Sequence, residues 1–342
     1  MLFDREGPGR DFERLVVVQR PELGLRAIIA IHSTRRGPGF GGIRRMRYAS
    51  EAAALDDALE LASAMSHKCA LAGLRAGGAK TVVLAPDDPG AFDREGAYEA
   101  LGRAIAELEG RYVCGPDLGT GDEELAVVRR VCTHVNPPDN DAGRSTAAGV
   151  HAGLRAVWRW LGSPSGSRRV AVQGLGSVGL ALAKALRDEG IDVIGADPDE
   201  AARGRAAALG VAIVPTEEIL AVPCDVLCPC AVGHVLDAVA IARLRCRAIC
   251  GSANNQLATP EDAGRLHARG IVHAPDVVVS AGAVIEGVLT VRSGRGAATR
   301  AAVAETIARI EPTLHDVLAE AARRDEPPVV VARAMAQQRL EA

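Results

Sequence analysis

One segment of this 342-residue chain leaves few folds open. Arg168–Asp197, RRVAVQGLGSVGLALAKALRDEGIDVIGAD, reads as an apolar strand, a glycine-rich turn, a helix and a second apolar strand ending on an acid. In the turn, Gly174 permits the tight bend and Gly176 lets the backbone approach a pyrophosphate. Gly179 lets helix and strand pack closely, and the free N–H groups of the helix start, at Ser177 and Val178, face the anion. Asp197 lies about twenty residues downstream, where a carboxylate accepts hydrogen bonds from an adenosine ribose and repels a 2′-phosphate. No arginine follows it before Arg203, so the pattern favours NAD over NADP.

Strand-like runs recur beyond this unit: VAIV, DVLCPCA, CRAIC, IVHAP and DVVVSAG, separated by helix-length segments. That alternation predicts a parallel, doubly wound α/β sheet. Ligands of such sheets sit at the carboxyl ends of strands, which brings in Ala231 in CPCAVG and Asn254 in GSANNQL. Upstream, Arg14–Gln19 and Leu25–His32 read as strands, and Ser50 caps a helix running toward Gly73. Thr81–Pro86 reads as a short strand, Arg94–Gly110 as a helix, and RYVCGPDLG as a strand entering a loop. A segment rich in Pro, Asp, Asn and Gly, Val131–Thr146, marks the domain boundary. A helix over Ala147–Gly162 follows, then a Ser/Gly/Pro loop. The expectation is a substrate-binding domain over 1–143 and a Rossmann dinucleotide-binding domain over 144–318, with a cleft between them. A helical segment, 319–342, is expected to pack back toward the first domain.

Composition excludes several function classes. A net charge of −3 with both signs dispersed offers no basic stripe for nucleic acid and no polybasic membrane anchor. Aromatics at 3% are too few for base-stacking platforms. The charged N-terminus lacks a signal-peptide core, and no run of about 18 apolar residues is present. The eight cysteines form no paired Cys-x-x-Cys sets and the histidines no His-Glu-x-x-His, so no metal is expected. A soluble cytoplasmic protein is the expectation.

Of the 40 basic residues only three are lysine: Lys68, Lys80 and Lys184. Lysine can lose its proton near neutrality when buried or beside another cation, whereas arginine effectively cannot. Lys68 near a helix end and Lys80 at a strand start, joined by CALAGLRAGGA, can face one cleft. One would then anchor an anion and the other transfer a proton. Asp117, after the RYVCG strand, can bring a carboxylate to the same place. Lys184 has no such context and reads as a surface residue.

Taken together, GPGFGGIRRMRY, DALELASAMSHKCALAGLRAGGAKTVV, GRYVCGPDLGTG, VAVQGLGSVG, GSANNQL and VHAPDVVVSAGAVI resemble the Glu/Leu/Phe/Val amino-acid dehydrogenase family. The resemblance runs through nearly the whole chain and is nearest to the leucine/phenylalanine branch. It implies reversible, NAD-dependent oxidative deamination of an apolar L-amino acid to a 2-oxo acid and ammonia, by a homo-oligomer. Gly41, Gly42 and Lys68 would hold the substrate carboxylate. Lys80 would activate water and Asp117 would carry protons. Thr146 would contact the cofactor, while Phe40, Ser280, Val284 and Gly287 would line the substrate site.

The chain also departs from the family pattern. Ser280-Ala281-Gly282-Ala283 stands where relatives carry Asn-Ala-Gly-Gly, and Arg144-Ser145 replaces Pro-Val before Thr146. Gly287 stands in place of a valine and enlarges the pocket, Phe40 refills part of it, and Glu286 lies beside Gly287. Two alternatives follow: a biosynthetic dehydrogenase for an aromatic or bulky amino acid, and a non-catalytic NAD-binding regulatory homologue.

Overall fold

The computed structural model describes residues 11–138, 140–162 and 168–341. The Ser/Gly/Pro loop expected after Gly162 lies outside them. Two compact units emerge. One holds the described residues up to Asn140, with Gly287–Thr299 and the segment from Ala336; the other holds Asp141–Glu286 and Arg300–Met335.

The first unit runs β1 (Arg14–Arg20), β2 (Leu25–Ser33), β3 (Gly39–Met46), α1 (Glu51–Leu71), β4 (Gly77–Leu84), α2 (Arg94–Ala106), β5 (Tyr112–Gly115) and α3 (Asp122–Arg129). Its sheet has the order β1-β2-β4-β3-β5. The β1/β2 and β2/β4 pairs are antiparallel, and β3 is parallel to both neighbours. One face packs Ile28, Ala30, Val82 and Leu84 against Ala54, Ala58, Leu59 and Ala62 of α1. The other packs Ile29, Ile31, Ala79 and Val83 against Tyr98, Leu101 and Ile105 of α2 and Leu125 and Val128 of α3. Alternation along β4 decides which residue meets which helix. Ser50 caps α1 as expected, its hydroxyl accepting from the Ala53 N–H at 3.1 Å.

At its other end α1 is held by distant arginines. Arg339 donates to the Leu71 carbonyl at 2.8 Å, and Arg36 donates to the Arg339 carbonyl at 2.7 Å. These bonds occupy backbone acceptors that the helix itself leaves open.

The second unit runs α4 (Ala142–Trp160), β6 (Arg169–Gln173), α5 (Ser177–Asp188), β7 (Asp192–Ala196), α6 (Glu200–Ala207), β8 (Ala212–Ile213), β9 (Val226–Pro229), α7 (Ala238–Arg243), β10 (Ala248–Ile249), α8 (Glu261–Ala268), β11 (Val272–His273) and α9 (Asp276–Val279). After these come α10 (Gly282–Ser293), α11 (Ala297–Ala308), α12 (Ile310–Arg324) and α13 (Pro328–Glu341), and the division between units falls inside α10, α11 and α13. The sheet is parallel throughout, in the order β11-β10-β9-β6-β7-β8. This is a doubly wound arrangement, with crossover helices between successive strands except β8 and β9, which are joined through a short 3-10 turn at Ile219–Ala221.

Three elements differ from the sequence reading. Gly39–Met46 is a strand that was not anticipated; β4 and β5 flank it and supply ladder partners. Asp122–Arg129 is a helix that was not anticipated, with Glu124 reaching back to the Gly121 N–H at 2.7 Å. DVVVSAG is not a strand: Asp276–Val279 is a short helix. Its valines are packed by α4, where Cβ atoms at Gly149 and Gly153 would strike Val279, so tertiary packing overrides their β preference.

Candidate active site

Three neighbouring strands of the first unit deliver three charges to one point. Lys80 lies inside β4 on the face of Val82 and Leu84, with its side chain 7% exposed. Arg44 lies on β3, paired in register with Val82. Asp117 follows β5, and β3 sits between β4 and β5. Lys80 Nζ is 2.7 Å from Asp117 Oδ2, and Arg44 Nε donates to the same oxygen at 3.0 Å. Arg44 Nη1 also donates to Asp57 of α1 at 3.2 Å, and the Tyr48 hydroxyl donates to Asp57 Oδ2 at 2.5 Å. Burial alone would raise the Asp117 carboxyl. The two cations outweigh it and hold that group well below the usual carboxylate range.

Glycine makes the convergence possible. A Cβ on Gly42 would meet the Pro116 carbonyl at 2.5 Å and Asp117 Cβ at 2.7 Å. Gly41 lies against the Ala79 carbonyl just before Lys80, and the Tyr112 hydroxyl donates to the Gly41 carbonyl at 3.2 Å. Gly78 lets α1 press onto the start of β4, where a Cβ would meet the Ser66 N–H nitrogen at 2.1 Å. Lys68, two residues beyond Ser66, is buried on that helix, and Phe40 is buried on β3. The structure thus brings Lys80, Asp117 and Gly42 into contact and sets Gly41, Phe40 and Lys68 on the adjoining elements.

Asn136 was missed by sequence reasoning. Its N–H donates to the Cys114 carbonyl at 2.7 Å, which sets it beside β5. Cβ atoms built on Gly115 and Gly287 would both meet the Asn136 side chain, at 3.4 and 3.1 Å respectively. The Asn136 side chain occupies the space in front of both glycines. The signal was Gly115 in the RYVCG strand, a glycine where a side chain would otherwise fill space.

In the second unit the dinucleotide loop joins β6 to α5. Gly174 has φ +89°, and a Cβ there would strike Ala231 at 2.6 Å. Gly179 lies against the Gly174 carbonyl, where a Cβ would sit at 1.8 Å, so only glycine lets α5 approach the turn. Gly176, the residue before Ser177 and Val178, faces open space. Asp197 accepts from the Leu175 N–H at 2.7 Å and the Asp199 N–H at 2.8 Å, which fixes its carboxylate beside the loop. Gln173 Oε1 is buried at the end of β6 without a hydrogen-bond partner. An open glycine turn, a helix start, a fixed acid and an orphaned acceptor fit a dinucleotide.

Asn254 lies in the segment after β10, near Asn255, whose N–H donates to Asp276 at 3.1 Å. Thr146 is buried on α4, and a Cβ on Gly282 would strike the Ser145 carbonyl and the Thr146 nitrogen. The Ser280–Gly282 turn therefore rests on the start of α4. The Ser280 hydroxyl is donated to the Asp276 carbonyl at 2.7 Å, which leaves its oxygen only as an acceptor. Val284 is half-buried on α10. Ser145 donates to Glu286 at 2.7 Å. Lys184 pairs with Asp188 on its own helix, at 2.7 Å. Among the described residues no group of three or more His, Cys, Asp or Glu could hold a metal ion, and no helix could cross a membrane.

Residues 13–134 match the Glu/Leu/Phe/Val dehydrogenase dimerisation domain, and residues 200–342 match the Glutamate/Leucine/Phenylalanine/Valine dehydrogenase domain. The chain belongs to the Glu/Leu/Phe/Val dehydrogenase family. It is an amino-acid dehydrogenase, an oxidoreductase whose cofactor is a nicotinamide dinucleotide. Residues 166–231 also match an acetohydroxy acid isomeroreductase NADPH-binding domain, a likeness carried by the same glycine loop. A leucine dehydrogenase of Geobacillus stearothermophilus is 37% identical over 340 residues, covering 97% of this chain and 91% of that one. A valine dehydrogenase of Streptomyces coelicolor is 42% identical over 287 residues, covering 80% and 78%. Among solved structures, an L-tryptophan dehydrogenase from Nostoc punctiforme superposes with a TM-score of 0.81 at 29% identity, covering 96% of both chains. Members of the dehydrogenase family with different side-chain preferences therefore all resemble this chain.

Proposed function

We propose that the protein catalyses reversible, NAD-dependent oxidative deamination of a bulky apolar L-amino acid, with an aromatic side chain favoured. The observation that carries the reading is the Lys80–Asp117 contact, a proton donor and acceptor pair with Gly42 closing its back. Lys68 anchors the substrate carboxylate with Gly41 and Gly42. Bound NAD supplies the acceptor for the hydride leaving Cα. Lys80 then removes a proton from the water that adds to the resulting imine carbon, and returns it as ammonia departs. Asp117 relays that proton. Burial of Lys80 excludes competing water and keeps its amine aimed at one point.

Gly115 and Gly287, which pack against Asn136 without side chains of their own, support a larger substrate side chain than a valine at position 287 would allow. The solved tryptophan dehydrogenase is consistent with an aromatic substrate. NAD over NADP follows from Asp197, whose carboxylate opposes a 2′-phosphate. Arg203, the nearby cation, is spent on the Asp197 and Pro198 carbonyls at 2.8 Å. The matched dimerisation domain supports a homo-oligomer, and the absence of a long apolar helix among the described residues fits a cytoplasmic enzyme. No feature of the Lys80–Asp117 pair favours a non-catalytic homologue.

A panel of L-amino acids with NAD or NADP at alkaline pH, followed by absorbance of the reduced cofactor, tests the reading. Turnover of aromatic or large aliphatic substrates with NAD is the expected result. No turnover with any member overturns it.

A further inference from the structure

Arg44 belongs to none of the roles assigned above, yet it is the most heavily committed cation at the site. It binds two carboxylates from different elements, Asp117 after β5 and Asp57 on α1, with its side chain 16% exposed. Arg44 Nε takes the Asp117 oxygen that Lys80 also takes, while Nη1 reaches Asp57. Tyr48 donates to Asp57 from its far side and fixes the anchor. The Arg44 guanidinium is planar and its donors are locked at both ends, so it sets an orientation that a flexible ammonium could not.

We infer that Arg44 is a positioning residue: anchored by Asp57 and Tyr48, it holds Asp117 Oδ2 in place beside Lys80 Nζ, the contact through which the proton would pass. The inference rests on the reading of Asp117 as the proton relay beside Lys80. The charged and titratable groups around Asp117 are Lys80 on β4, Arg44 and Arg45 on β3, Asp57 on α1, Tyr48 between β3 and α1, Tyr112 on β5, Arg94 on α2, and Asp122, Glu123 and Glu124 on α3. Of the cations, Lys80 and Arg44 are the two whose nitrogens reach the Asp117 carboxylate. Removal of Arg44 leaves Lys80 and the Leu118 N–H to oppose the burial that drives the Asp117 carboxyl upward.

The test compares R44Q and R44K with the unaltered enzyme in steady-state turnover of the best amino acid from the panel. It is joined by carbon-13 spectra of aspartate-labelled protein, with the Asp117 resonance assigned from D117N. The expected result for R44Q is a fall in kcat of about 30- to 300-fold with KM for the amino acid changed less than about 3-fold. R44K should recover part of kcat, and the Asp117 carboxyl should titrate at higher pH in R44Q. A kcat within 2-fold of the unaltered enzyme, a loss confined to KM, or an unmoved Asp117 titration overturns the inference. Should R44Q fail to fold, D57N carries the same comparison, since it keeps the cation and removes its anchor; it should lower kcat by a smaller factor. Lack of turnover by the unaltered enzyme would sink the functional reading, while the Asp117 titration, which needs no substrate, still decides whether Arg44 pins the carboxylate.

Discussion

Ser145 gives its hydroxyl proton to the Glu286 carboxylate at 2.7 Å, across 141 residues of sequence. Both residues depart from the pattern of the dehydrogenases this chain resembles, and each looks isolated when read alone. Together they make one tie between the start of α4 and α10, and each supplies what the other lacks. S145A leaves a half-buried carboxylate without its donor and should lower stability by about 1–2 kcal/mol in thermal denaturation. The S145A/E286L double variant should recover part of that loss, because neither polar partner is then left unpaired.

K80R keeps the positive charge but replaces the amine with a guanidinium, which effectively cannot give up a proton. The expected result is a fall in kcat of about 10²- to 10⁴-fold, with the protein still folded by circular dichroism. K68A should instead raise KM for the amino acid, by about 10-fold or more, since a lost charge-assisted hydrogen bond is worth about 1.5–3 kcal/mol. Equal effects of the two substitutions on kcat and KM would contradict the division of labour between them.

Gly287 carries the prediction about substrate size. In G287V the first added carbon lies 3.1 Å from Asn136 Oδ1, and the remaining methyls enter the same space. The ratio of kcat/KM for phenylalanine or tryptophan over that for valine should fall by about 10-fold or more. An unchanged ratio would place the side-chain pocket elsewhere.

Asp197 carries the prediction about cofactor choice. D197A removes two carboxylate acceptors and the repulsion of a 2′-phosphate, and it also frees the Leu175 and Asp199 amides. Relative kcat/KM for NAD over NADP should drop by about 10-fold or more, mostly through KM for NAD.

His273 should shape the acid limb of stability. Burial lowers its pKa, with Asp276 opposing, so the folded protein keeps it neutral where the unfolded chain takes up a proton. The associated stability is complete above about 6.5, the ordinary histidine value, and is lost as pH falls below it toward the lowered folded value. Urea denaturation between pH 7 and pH 5 should therefore show a shallower loss for H273Q than for the unaltered protein. A slope that does not change would assign the acid limb to other groups.

Local chemistry was legible in the sequence and cross-strand chemistry was not. The glycine turn, the Asp197 strand end and the Ser50 cap each use residues a few positions apart, so spacing alone reveals them. Lys80 stood out because lysine is rare in a chain that otherwise uses arginine for its cations. By contrast, the Arg44–Asp57–Tyr48 anchor joins residues of ordinary type from three elements, and nothing in GGIRRMRY marks which arginine turns inward. Asn136 was hidden for the same reason, since its neighbours Gly115 and Gly287 are 172 positions apart on the chain. The DVVVSAG valines misled because their strand preference lost to packing on α4.

The arginine ties at the end of α1 also set an order of assembly during translation. A nascent chain that has emerged as far as Asn140 already carries Lys68, Lys80 and Asp117. It still lacks Arg339, which donates to the Leu71 carbonyl one turn beyond Lys68, and the α10 segment bearing Gly287. The unit encoded first thus waits on residues synthesised some 200 positions later. Its α1 terminus can lock only after the ribosome has delivered α13.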